Sequence, residues 1–137
     1  MNWDLTFSQF KIHGPDHPEN IDFDNIFPNG AFIAFLPLLS LPQTINAARV
    51  FLNKDEILEN VRGVKWERLK VHVSNDGKLS PPWGLLNNTA KLTIPQGCHR
   101  FHYAILNDIE MLPVVVNAPD ALFLKEKYQI TIQPMAA

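Results

Sequence analysis

The sequence predicts a mainly β fold, a two-sheet β-sandwich of jelly-roll or Greek-key type with one short helix near residues 54–62. Three features predict it: short segments that alternate apolar with polar residues, eleven prolines that separate them, and a single clear helix signal. A period of two is typical of strands with one buried face, and many short strands with turns between them are typical of sandwiches. At 137 residues, the chain is expected to form one domain, residues 1–137.

The amino-terminal third is predicted to form strands. Trp3–Phe7 alternates, and the alternation resumes out of phase at Phe10, which indicates a bulge. Residues 21–24 alternate again, and Pro28–Gly30 supplies a turn. The nearly continuous apolar stretch Ala31–Leu41 is typical of a strand that is buried on both faces or lies in an interface.

The middle of the chain contains the one predicted helix. Gln43–Leu52 suits either period, and we assign it to a strand. After it, Asn53 can cap a helix, Glu56 stands in a capping-box position, and Gly63 ends the pattern. The apolar stripe of this helix consists of Ile57, Leu58 and Val61.

The second half is again predicted to be β. Val64–Val73 alternates, with Leu69, Val71 and Val73 on one face. Ala90–Ile94 and His99–Ile105 alternate as well, and Pro95–Gly97 between them predicts a hairpin. Three more short strands are predicted at Met111–Val116, Ala121–Leu124 and Tyr128–Ile132.

Composition argues against several classes of protein. The net charge is −2 and neither sign forms a run, whereas proteins that bind nucleic acid show a basic stripe. The longest apolar run is shorter than the roughly 20 residues of a membrane helix, and no Sec-type signal peptide precedes the first segment. A lone cysteine, Cys98, forms no internal disulfide. We therefore expect a soluble chain that is made without a signal peptide and binds no nucleic acid.

No catalytic or metal-binding pattern is recognised. On the predicted strand, Cys98 and His102 share a face but stand roughly 13 Å apart, too far to ligate one ion. His13 and His17 flank a turn that contains Asp16, and we interpret this region as a polar turn and not as a cation site. A nucleophile elbow and a glycine-rich phosphate loop are both absent. The sequence predicts no cofactor, no metal and no enzymatic activity.

Trp83 is the most distinctive candidate for binding. It follows Pro82 in a predicted rigid loop, and an aromatic ring held out by such a loop can stack on a sugar or fill a partner's pocket. The alternative is a tryptophan that folds back and covers the open end of the sandwich. Together with Phe32 and Phe35 of the apolar strand, Trp83 and Pro82 form the predicted binding surface.

The passage Leu92–Tyr103 joins a strand, a Pro-x-Gly turn and an aromatic strand. It resembles the jelly-roll heads of C1q and tumour-necrosis-factor-like domains, and similar heads on phage virion proteins. The resemblance implies a non-enzymatic and commonly trimeric domain that binds partners through loops or lateral faces. The chain departs from that pattern after Val116, where few residues remain for the closing strands.

We therefore predict a structural protein, a capsid or tail component of a virion, that self-associates or docks on a neighbouring subunit. The observations behind this hypothesis are low charge, many prolines and an apolar strand that a domain of this size could leave for a partner to cover. The alternative is a carbohydrate-binding module that uses Trp83 and binds a glycan. A third reading is a metal-dependent, cupin-like enzyme with His13, His17 or His99 as ligands.

Overall fold

Helices and strands both build the fold, so the prediction of a mainly β sandwich is wrong. In a computed structural model that describes residues 1–137, 43% of the residues are helical and 25% lie in strands. The architecture is α/β, with a five-stranded mixed sheet, a separate two-stranded sheet and seven α-helices. None of these helices is both long and apolar enough to cross a lipid bilayer.

The strands are β1 (Asn2–Trp3), β2 (Ala31–Pro37), β3 (Lys78–Leu79), β4 (Trp83–Leu86), β5 (Leu92–Gln96), β6 (Met111–Asn117) and β7 (Thr131–Pro134). The α-helices are α1 (Phe7–His13), α2 (Phe23–Ile26), α3 (Leu41–Thr44), α4 (Lys54–Asn60), α5 (Val64–Ser74), α6 (Cys98–Leu106) and α7 (Ala118–Tyr128). Two short 3₁₀ helices occupy Pro18–Asn20 and Leu38–Ser40.

The large sheet has the strand order β5-β4-β6-β2-β7. Neighbouring strands are antiparallel except β4 and β6, which run parallel. β2 pairs with β6 along its whole length, from Ala31 opposite Asn117 to Pro37 opposite Met111. The small sheet pairs β1 with β3 in parallel and lies at the end of α5.

Of the apolar stretch Ala31–Leu41 that was predicted to be a strand, Ala31–Pro37 forms β2, which lies inside the sheet, whereas Leu38–Leu41 is helical. β2 has β6 on one side and β7 on the other, so its backbone is not left at an edge. Its side chains alternate between two apolar layers: Ala34 and Leu36 belong to the main core, and Ile33 belongs to a second cluster on the opposite face. The helices supply the cover that the prediction assigned to a partner.

Different helices cover the two faces of the sheet. The main core contains buried residues of α4, α6 and α7, among them Phe101 and Leu124. The second cluster is covered by α1 and α2, where four phenylalanine rings pack edge to face or stacked: Phe7, Phe10, Phe23 and Phe27. Phe7 and Phe10 are three residues apart, which is helical spacing, and the predicted strand with a bulge is therefore wrong.

The predicted strands at Val64–Val73 and His99–Ile105 are helices. In α5, Trp66 and Leu69 are buried while Val71 is exposed, so burial follows a spacing of three and not of two. In α6, Phe101, Ala104 and Ile105 are buried, again with helical spacing, and no hairpin forms with β5. Both segments mix apolar residues with His, Lys and Arg, and the alternation of these residues imitates a strand by coincidence.

Three other predicted strands do not form. Residues 21–24 lead into α2, whose first turn is capped by Asp22. Gln43–Leu52 forms the end of α3 and an irregular segment, and Ala121–Leu124 lies inside α7. The last strand, β7, begins at Thr131, three residues after the predicted start at Tyr128.

The one predicted helix is confirmed as α4, although it ends at Asn60, and Gly63, predicted to end it, instead precedes α5. The Asn53 side-chain oxygen accepts hydrogen bonds from the backbone N–H groups of Asp55 (2.8 Å) and Glu56 (3.4 Å). Ile57 is fully buried, whereas Leu58 is exposed. The cap was readable from sequence because it depends on neighbouring residues alone.

Candidate functional site

A polar cavity of about 530 Å³ lies between α5, the amino end of α6 and three loops. Its volume is in the range of sites that hold small organic ligands. Its lining comes from the loop after α1, the segment before α4, α5, the strand β3 and the β5–α6 junction. The lining residues are His13, Asp16, Arg49, Lys65, Arg68, Leu69, His72, Lys78, Leu79, Ser80, Pro95, Gln96, Gly97, Cys98, His99 and Arg100.

The cavity is strongly basic although the chain is slightly acidic. Five of the twelve Lys and Arg residues line it, but only one of the fourteen Asp and Glu residues does. Three histidines also line it. Positive charges held around one cavity create a positive electrostatic potential inside it, and this potential favours an anionic occupant.

α5 carries a row of cavity residues along one side. Lys65, Arg68 and His72 are three and four residues apart, so their side chains leave the same face of the helix. The rise of the helix spreads this row over about 10 Å. At its far end, the His72 ring nitrogen Nε2 lies 2.7 Å from the Lys78 carbonyl oxygen, which ties α5 to β3.

The amino end of α6 opens into the cavity. Gly97 precedes the helix with a left-handed backbone, φ +89°, and no side chain caps the first turn. The first backbone donor with a partner in the helix is Phe101 N–H, which bonds to the Gly97 carbonyl at 2.9 Å. The three N–H groups before it are therefore left for an acceptor at a site lined by Gly97, Cys98 and His99.

Arg100 holds the walls of the cavity together. Its guanidinium donates hydrogen bonds to the carbonyl oxygens of Ser80 (2.6 Å) and Gly14 (2.5 Å), which belong to different loops. Burial lowers the pKa of Arg100 to about 10, so the group stays charged at neutral pH. These acceptors are neutral, and no carboxylate forms an ion pair with Arg100. Its charge therefore adds to the positive potential.

Asp16 is the one carboxylate of the cavity. Its side chain lies 3.8 Å from the Lys65 ammonium group, and both side chains are largely exposed. Its backbone N–H donates to the Gln96 side-chain oxygen at 3.1 Å, which fixes the loop against the β5–α6 junction. An exposed pair at this distance offsets little of the surrounding charge.

His99 and Cys98 occupy the first turn of α6. Burial, followed by the nearby charge of Lys65, lowers the pKa of His99, so the neutral ring predominates at pH 7. Its Nδ1 is buried without a hydrogen-bond partner, and the ring packs 5.7 Å from that of Trp66. Burial also raises the pKa of the Cys98 thiol, and the neighbouring Arg49 opposes that shift only in part. The thiol donates to the Ile94 carbonyl oxygen at 3.3 Å.

The predicted binding surface is dispersed by the fold. Trp83 begins β4 and is only 8% exposed, packed 6.1 Å from the Phe27 ring, and Pro82 is buried beside it. Phe32 and Phe35 are half-buried and pack on opposite faces of the sheet. These four residues do not form one exposed patch.

Of the histidines considered as metal ligands, the structure brings His13 and His99 to the basic cavity and leaves His17 apart. His13 and Asp16 line the basic cavity, whereas His17 is exposed and lies 3.5 Å from Glu19. Cys98 and His102 lie on a helix and not on a strand, and His102 points its ring at Phe51. No group of three or more His, Cys, Asp or Glu side chains is placed to hold a metal ion.

Sequence reasoning missed the cavity because its residues come from five separate segments. One local signal was available: Gly97 stands directly before a stretch in which Phe101, Ala104 and Ile105 have helical spacing. Lys65, Arg68 and His72 could similarly have been read as one side of a helix. Comparisons with protein-family models, with curated proteins and with solved structures each returned no match.

Proposed function

We propose that this protein binds a phosphorylated small molecule of about nucleotide size in the basic cavity. The charge asymmetry carries the proposal, since five cationic side chains converge with a single carboxylate. Arginine and lysine are the usual protein partners of phosphate oxygens. A volume of about 530 Å³ leaves room for an organic group besides the phosphate.

The first turn of α6 supports the same proposal. Its free N–H groups and the positive end of the helix dipole favour a phosphate oxygen at Gly97–His99. Two kinds of donor, backbone amides and charged side chains, then face one space. That combination gives both the attraction and the orientation that binding of a phosphate ester needs.

Calorimetric titration of the whole chain with phosphate, pyrophosphate and adenosine diphosphate tests the proposal. We expect saturable binding that is tighter for the two diphosphates and weakens as salt is added. The double variant Arg68→Gln/Lys78→Gln should lose roughly 100-fold or more in affinity, since hydrogen bonds to charged groups contribute about 1.5–3 kcal/mol each.

The double variant Lys125→Gln/Lys127→Gln is the matched control. Both lysines are exposed on α7 and neither lines the cavity, so the change in net charge is the same. This control should bind like the unchanged protein. The proposal fails if no probe binds up to millimolar concentration, or if both double variants weaken binding equally.

The assembly role expected from the sequence stays a prediction, as do the absence of enzymatic activity and of nucleic-acid binding. The assembly role has lost its main motivation, because helices within the domain cover both faces of β2. The carbohydrate-binding alternative loses its platform in a similar way, since Trp83 is packed in a core. Neither hypothesis has an observation that favours it over the basic cavity.

A further inference from the structure

We propose that His102 is a positioning residue for the cavity, because its hydrogen bond to the Phe51 backbone holds the segment that carries Arg49. The inference rests on the proposed function, since Arg49 matters to binding only if an anion occupies the cavity. His102 itself does not line the cavity and would act through Arg49.

The segment between α3 and α4 has few other attachments. Residues 46–52 form no helix or strand. Within residues 47–52, one backbone group forms a hydrogen bond to another element: Phe51 N–H donates to His102 Nε2 at 2.9 Å. The Arg49 side chain lies beside Cys98 of α6. Arg49 lies two residues before that bond and is exposed to the cavity. Buried Val50 and the partly buried Phe51 and Leu52 pack the segment against the core, and the bond to His102 adds a directional contact to this packing.

His102 is itself firmly placed. It is 4% exposed in the middle of α6, and its ring centroid lies 5.8 Å from that of Phe51. The same helix carries Gly97, Cys98, His99 and Arg100 to the cavity. His102 therefore links the segment of Arg49 to the helix whose amino end lines the same cavity.

The pattern of hydrogen bonds identifies what the imidazole contributes. Because Nε2 accepts from Phe51, the proton of the neutral ring is on Nδ1, and Nδ1 is buried without a partner. A buried donor without an acceptor destabilises the fold. An apolar side chain of similar volume would remove that cost, so the contribution of His102 is the acceptor that it offers to Phe51.

Two substitutions separate the acceptor from the packing. His102→Gln places an amide oxygen near the position of Nε2, whereas His102→Leu fills similar space with no acceptor. We expect His102→Leu to weaken pyrophosphate binding about as much as Arg49→Ala, which should lose roughly ten-fold. The double variant His102→Leu/Arg49→Ala should be no weaker than either single variant, and His102→Gln should stay within about two-fold of the unchanged protein.

Hydrogen exchange of the Phe51 amide gives a readout that needs no ligand. Losing the bond to His102 should speed exchange of that amide about five-fold in His102→Leu, as expected for a hydrogen bond that contributes about 1 kcal/mol, and His102→Gln should restore the slow rate. Three results would each overturn the positioning role. They are a double variant whose loss of affinity equals the sum of the two single losses, a loss in His102→Gln as large as that in His102→Leu, and an unchanged exchange rate of the Phe51 amide in His102→Leu. If the unchanged protein fails to bind pyrophosphate, the proposed function falls, and the exchange measurement still decides whether His102 holds the segment.

Discussion

Gly97 joins β5 to α6 at the cavity, and we expect Gly97→Ala to lower the free energy of unfolding by about 2–5 kcal/mol. Its φ of +89° is in the left-handed region, where a residue with a Cβ costs roughly 1–2 kcal/mol. A Cβ at this position would also stand 2.8 Å from Pro82 Cα and 2.8 Å from an Arg100 guanidinium nitrogen. Such overlap in a packed region costs roughly 1–3 kcal/mol more.

The expected structural effect is a shift of the β5–α6 junction away from Pro82. Arg100 is able to move its guanidinium, but the Pro82 contact involves backbone, which yields less easily. Movement of Arg100 would also disturb its hydrogen bonds to Ser80 and Gly14. We therefore expect Gly97→Ala to weaken pyrophosphate binding as well as stability.

Chemical denaturation followed by tryptophan fluorescence measures the stability change, since Trp66 and Trp83 are buried. Gly30→Ala is the matched control: its φ is +84°, but nothing lies within 4 Å of an added Cβ. This control should show the backbone cost alone, about 1–2 kcal/mol. The reasoning is refuted if Gly97→Ala destabilises the protein no more than Gly30→Ala does.

Two further predictions concern a helix cap and acid stability. Asn53→Ala should lower the free energy of unfolding, measured in denaturant titrations, by about 1 kcal/mol, because two backbone N–H groups of α4 lose their acceptor. Asn53→Asp keeps an acceptor and should retain most of that stability. Equal losses in both variants would contradict the capping role. Burial, and then the neighbouring His99, lower the pKa of His102 to about 4, so its ring is neutral in the folded protein. The unfolded chain therefore binds more protons than the folded one between about pH 6.5 and 4. Its contribution to stability is therefore fully present above about pH 6.5 and is lost as the pH falls towards 4, by roughly 2–3 kcal/mol. His102→Gln should flatten that part of the stability profile in unfolding titrations, and an unchanged profile would show that His102 is not responsible.

The sequence alone determined features that depend on neighbouring residues. The cap at Asn53 and the helix that follows it were readable because the donors and the acceptor lie within three positions. The apolar run from Ala31 predicted a buried strand from its own composition, and Ala31–Pro37 forms that strand. Both faces of this strand are covered within the domain by α1, α2, α6 and α7, so its apolar character gives no support to the predicted assembly role, which stays a prediction.

Tertiary structure decided the class of fold and the site. α5 and α6 alternate apolar with basic residues in sequence, so their period was ambiguous until packing selected Trp66, Leu69 and Phe101 for the core. That choice placed Lys65, Arg68 and His72 on one side of α5, facing the amino end of α6. The basic cavity could not be predicted from the sequence, because electrostatic potential depends on the distances between charges. Folding, and not order along the chain, sets those distances.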